Sequence, residues 1–148
     1  MQQDSGITAV AHAIQLSVAP VFLLSGIAAI LAVMTSRLSR IIDRARALEA
    51  RLPGALPEVA RTLHGELATL SRRAKLISGS IALCTGTALL VCMVIVTGFL
   101  GVVFLRTDLS MPVALLFVTA MVTFFVALVL FLREIFLATV NLRIGPHP

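Results

Sequence analysis

The sequence predicts an all-α integral membrane protein with three transmembrane helices and a cytoplasmic antiparallel helical hairpin between helices 1 and 2. Three observations point there. The chain is 59% hydrophobic and 13% charged with a mean hydropathy of +1.05, whereas soluble domains run at roughly 45–50% and about 25%. Three stretches, residues 11–36, 76–105 and 111–132, contain no Asp, Glu, Lys or Arg, and a helix needs only about 20 such residues to cross a bilayer. Finally, nine of the 12 basic residues are gathered between residues 36 and 75. A water-soluble globular domain is excluded by the first observation. Disorder is excluded as well, because a chain this rich in Leu, Val, Ile, Phe and Ala cannot stay solvated.

The first span covers about residues 11–36, AHAIQLSVAPVFLLSGIAAILAVMTS. Pro20 lies inside it and removes one backbone donor, which predicts a mild kink whose freed carbonyl is met by a neighbour or by Ser17. The run MQQDSG has no basic n-region and no cleavage site follows the apolar run, so an uncleaved span is expected.

No stop signal appears at Ser36. The chain continues as SRLSRIIDRARALEARL, with no Gly or Pro until Pro53, so the helix should extend beyond the membrane. Leu38, Ile41, Ala45, Leu48 and Leu52 recur at spacings of three and four, and beyond PGALP the series Ala60, Leu63, Leu67, Leu70, Ala74, Ile77 repeats that rhythm. Two apolar seams joined by a tight turn predict the helical hairpin, residues 37–75. Its charges fall mainly off the seam and read as a solvated face. Nucleic acid is disfavoured as a partner, since the segment has no aromatic residue to stack on bases.

The second span, about residues 76–105, is longer than a bilayer requires and must tilt or protrude. In the turn that follows, Asp108 or Ser110 can cap the third helix, expected over about 111–143, with Pro112 tolerated in its first turn. Orientation follows from the arginines. The 36–75 segment, Arg133 and Arg143 fall on one side of a three-span protein, and only Arg106 falls on the other. By the positive-inside rule the hairpin and C-terminus are cytoplasmic and the N-terminus is outside.

Chemistry is sparse. No carboxylate lies within a span, which argues against a proton-driven transport cycle. No hydrolase, nucleotide or metal-binding motif is present, and the histidines are scattered at 12, 64 and 147. Cys84 and Cys92 sit in an apolar run and read as small hydrophobes. No enzymatic activity, catalytic residue, metal or cofactor is expected. The neutral polar residues Gln15, Ser17, Ser25, Ser78 and Thr85 are the positions that could line a pore. Ala74, Ser78, Ala82 and Gly86 form a small-residue face on the second span, matched by Ser25, Ala28, Ala29 and Ala32 on the first, and such faces are expected to pack helix 1 on helix 2. On the third helix Phe117, Phe124, Phe125 and Phe131 are expected to face lipid.

Arg133 and Glu134 are the most informative charges. They stand at the inner boundary, yet Ile135, Phe136 and Leu137 follow. A helix that stays apolar past its charges is packed against protein there. Pairing of Arg133 or Glu134 with Arg37, Arg40 or Asp43 at the hairpin base is one expectation, and snorkelling to the interface is the other.

The stretch QLSVAPVFLLSGIAAILAVMTSRLSRIIDRAR, a helical hairpin, a second span and FLREIFLA near the end together resemble a family of small bacterial inner-membrane proteins classed only as a domain of unknown function. The resemblance implies three spans and a bacterial inner-membrane location, and carries no activity or cofactor. Three spans enclose little interior, so a homo-oligomer is expected. Two functions follow. One is a pore or channel-like assembly for small ions. The alternative is a non-conducting scaffold whose basic hairpin docks a partner protein or anionic lipid.

Overall fold

A computed structural model of the chain describes the backbone of residues 2–101 and 110–140, and the side chains at 15, 18–101 and 110–139. Those residues form three helices, α1 (Gln2–Glu49), α2 (Pro57–Leu100) and α3 (Ser110–Val140), and no strand. At 1.5 Å per residue they are about 72, 66 and 46 Å long. Each contains a stretch long and apolar enough to cross a membrane. Residues 102–109 and 141–143, where the sequence places the end of the second span, the following turn and the end of the third helix, lie outside the described residues, as does the Ser17 side chain.

α1 passes through Ser36 without a break, as expected of a segment whose strong helix formers meet no breaker there. Pro20 is accommodated inside it and is buried. The helix stops at Glu49, where bonds from Arg51 N to Leu48 O and from Leu52 N to Glu49 O tighten the last turn. Ala55 N then donates to Leu52 O at 3.2 Å across Pro53-Gly54, and Gly54 has φ +89°. Proline first and a left-handed glycine second is the pattern of a type II turn. α2 starts at once with Pro57, whose missing N–H is no loss in a first helical turn.

The contacts divide into two units. The first contains residues 1–31 and 83–125. Its core is Ile27 from α1, Cys84, Thr87, Val91 and Val94 from α2, and Ala120 from α3. Buried positions on one helix recur every seven residues: Pro20 and Ile27, Cys84 and Val91, Thr87 and Val94. Seven residues are close to two helical turns, so such a series keeps one face inward. The buried Thr87 hydroxyl donates to Leu83 O at 2.9 Å and needs no outside partner. Outer faces are equally apolar: Phe22, Leu89, Met111 and Phe125 are all more than 60% exposed. Helices apolar on every side belong in lipid.

The second unit contains residues 32–82 and 126–148. Met34, Ile41 and Leu48 of α1 are buried with Leu70, Ile77 and Ser80 of α2, and with Ala127 and Glu134 of α3. The seven-residue step recurs on every helix. Ser80, like Thr87, turns its hydroxyl onto its own helix, donating to Leu76 O at 3.0 Å. Where this unit meets water, burying a Leu or Ile side chain stabilises it by about 1.5–3 kcal/mol. Inside lipid that contribution vanishes, and close packing holds the helices instead.

Two expectations are corrected here. The small-residue faces do not form the core: Ser25, Ala28, Ala29, Ala32, Ser78 and Ala82 are exposed, and Gly86 is half-buried. The interior is instead a mixture of large and small residues at seven-residue spacing, Ile27, Met34, Ile77 and Val91 beside Ser80, Cys84, Ala120 and Ala127, because close packing is met by combining sizes. The phenylalanines of α3 also divide. Phe125 is 68% exposed, whereas Phe124 and Phe131 are half-buried.

Candidate functional site

Each helix has a level at which its charge-free stretch ends: Arg37 on α1, Lys75 and then Arg73 on α2, and Arg133 with Glu134 on α3. All of these residues belong to the second unit, and three of them meet. Glu134 is fully buried although it is a carboxylate. Its Oε1 accepts from Arg73 Nε at 3.2 Å and Nη2 at 2.8 Å, and its Oε2 accepts from Arg37 Nη1 at 3.0 Å. Arg73 brings two donors to the single oxygen Oε1 while Arg37 takes the other, so both carboxylate oxygens are met by charge-assisted bonds.

The triad is placed by the same seven-residue step as the core. Glu134 continues Ala120 and Ala127, and Arg73 continues, towards the chain's start, the series Ser80, Thr87, Val94. A carboxylate on an interior-facing position is costly unless paired, so α3 can bury Glu134 only because α1 and α2 each supply a cation. Phe131, one turn before Glu134, lies 5.7 Å from the Arg37 guanidinium and holds it from the face. The Arg73 side chain is 22% exposed and that of Arg37 40%, so the cluster opens outward on its cationic side. With two guanidiniums and one carboxylate it keeps a net charge of +1.

The other residues singled out in the sequence lie elsewhere. Arg40, Asp43 and Arg133 are exposed and form no ion pair with the described residues. Gln15, Ser25, Ser78 and Thr85 are all on exposed surface of the chain. Arg73 was not expected in this cluster. It is 61 residues from Glu134 and one of nine basic residues in its segment. Its signal is its register, seven residues before the buried Ser80. No nucleophile or histidine takes part, and no group of three or more His, Cys, Asp or Glu among the described residues could hold a metal. Chemically the triad is a clamp that ties three helices at one level and leaves guanidinium donors facing out.

A family described as "Protein of unknown function (DUF2721)" matches residues 17–144. The chain belongs to this family. The match takes in most of α1 and all of α2 and α3, and so all three members of the triad. No curated protein and no solved structure matches the chain. The DUF2721 description names no activity, so function rests on the geometry.

Proposed function

We propose that this DUF2721 protein is a non-conducting membrane scaffold, whose arginine-rich helical arms form a docking surface on the cytoplasmic face. The observation that carries the reading is the Glu134 clamp. It fixes α1 and α2 where they leave their apolar stretches, and both continue beyond it as helices. From Pro57 to Arg73 α2 rises about 24 Å. Arms anchored this way present Arg40, Arg44, Arg61 and Arg72 at defined positions. The arginine bias favours a cytoplasmic location for the arms and C-terminus in the bacterial inner membrane, with the N-terminus outside. No catalytic role is assigned to any residue.

A pore built from several copies is the second reading. In its favour, Gln15, Ser25, Ser78 and Thr85 face away from the chain's own core, where another copy could meet them. Two experiments decide. Photo-crosslinkers at Arg40 and Arg61 in living cells should yield one dominant protein adduct, lost when the neighbouring Arg44, Arg46 and Arg72 are together replaced by Gln. Purified protein in planar bilayers should be electrically silent. Discrete currents that change with Gln15→Leu or Ser25→Leu would overturn the scaffold in favour of the pore.

A further inference from the structure

Beside the clamp, on the same unit, is a hollow of about 340 Å³ lined by Ala68, Thr69, Arg72, Arg73 and Leu137. We infer that it is a binding site for the headgroup of an anionic phospholipid, whose phosphate is held by Arg72 and Arg73. The inference rests on the membrane location and is independent of any protein partner of the arms.

Three features support it. The first is charge. Arg73 spends Nε and Nη2 on Glu134 and leaves Nη1 without a hydrogen bond among the described residues. Arg72 is exposed and forms no ion pair. With the triad at +1, Arg72 brings the local charge to +2. The nearest carboxylate outward on α2, Glu66, is 3.9 Å from Arg44.

The second feature is depth. The charge-free stretch of α2 begins immediately after Lys75. Thr69, Arg72 and Arg73 therefore stand on the last two turns of α2 before its apolar stretch, the level at which a spanning helix passes among headgroups.

The third is the mixed lining. Leu137 and Ala68 give the hollow an apolar wall that suits the glycerol and upper acyl carbons of a lipid. The Thr69 hydroxyl donates to Gly65 O at 3.1 Å and keeps lone pairs for the hydroxyl of a glycerol headgroup. Basic pockets among spanning helices on the cytoplasmic side are where acidic headgroups collect.

The test uses full-length protein reconstituted in nanodiscs of phosphatidylcholine with phosphatidylglycerol, with native mass spectrometry reading the ratio of the two lipids retained. Phosphatidylglycerol should be retained in preference. Arg72→Gln should reduce that preference about fivefold, the effect of one basic residue near a charged surface. Thr69→Phe, which intrudes on the hollow without changing its charge and removes the hydroxyl, should also reduce it. Arg61→Gln, farther out on the same arm, should leave it unchanged. Equal losses for Arg61→Gln and Arg72→Gln would show a diffuse basic surface and overturn the site. Displacement of the lipid by inorganic phosphate, with the same dependence on Arg72, would overturn the lipid assignment. Failure of the protein to enter nanodiscs would overturn the membrane location itself, and with it both the scaffold and the site.

Discussion

Neutralising the buried carboxylate is the most informative perturbation of this molecule. Glu134→Gln keeps the shape of the side chain but removes its charge and turns an NH2 group toward one of the arginines. Three charge-assisted bonds, at 3.2, 2.8 and 3.0 Å, are weakened or lost. Breaking a buried ion pair from one side typically costs about 3–5 kcal/mol, because the surviving charge is left uncompensated. Here the survivors reach solvent, with side chains 22% and 40% exposed, so part of that penalty is relieved by water and the expected loss is about 2–3 kcal/mol. The two arginines should contribute unequally. Double-mutant cycles should give about 1.5–3 kcal/mol of coupling between Glu134 and Arg73, which donates twice to Oε1 and is the more buried. Arg37, held by one bond and 40% exposed, should couple by no more than about 1 kcal/mol. The assay is unfolding by SDS titration in mixed micelles for the native protein, the single variants and the pairs. A Glu134→Gln protein within about 0.5 kcal/mol of native, or a larger coupling for Arg37 than for Arg73, would refute the clamp.

Other perturbations separate what holds the fold from what decorates it. The Arg44–Glu66 pair is exposed on both sides and 3.9 Å long, so Arg44→Gln should shift the same titration by less than about 0.5 kcal/mol, and Arg133→Gln should do no more. Gly54→Ala places a Cβ at φ +89°; it should destabilise by about 1 kcal/mol, through backbone strain alone since nothing lies near the new atom. Ile77→Ala opens a cavity at a fully buried position and should cost about 2–5 kcal/mol, whereas Phe22→Ala, at 74% exposed, should be close to neutral in detergent.

How much of this could be read in advance depends on which solvent a segment faces. In the arms, polar residues mark the outside, so Ile41, Leu48, Leu70 and Ile77 stand out as a seam, and the structure buries all four. Within the spans hydrophobicity marks nothing, because lipid and protein interior are equally apolar. Ser78, Ala82 and Gly86 were therefore a plausible packing face, yet Ile77, Ser80, Cys84 and Thr87 are the buried residues of that stretch. The information lay in spacing: Thr87 and Val94 follow Ser80 by sevens, as Cys84 and Val91 follow Ile77. Glu134 could be found from the apolar residues that follow it, since an unpaired carboxylate at that depth is expensive. Its partner Arg73 could not, because nine cations lie in one segment and only the register of α2 brings this one inward.

The central claim is that three helices cross a membrane with the clamp and both arms on its inner side. Single cysteines at Gln3 and Arg61, placed one at a time in a Cys84→Ser/Cys92→Ser background, test it through labelling by a membrane-impermeant thiol reagent in intact spheroplasts and in inverted vesicles. Position 3 should react only from outside, and position 61 only in inverted vesicles. Labelling of position 61 in intact spheroplasts, or of both positions from the same side, would contradict the topology on which the clamp's placement depends.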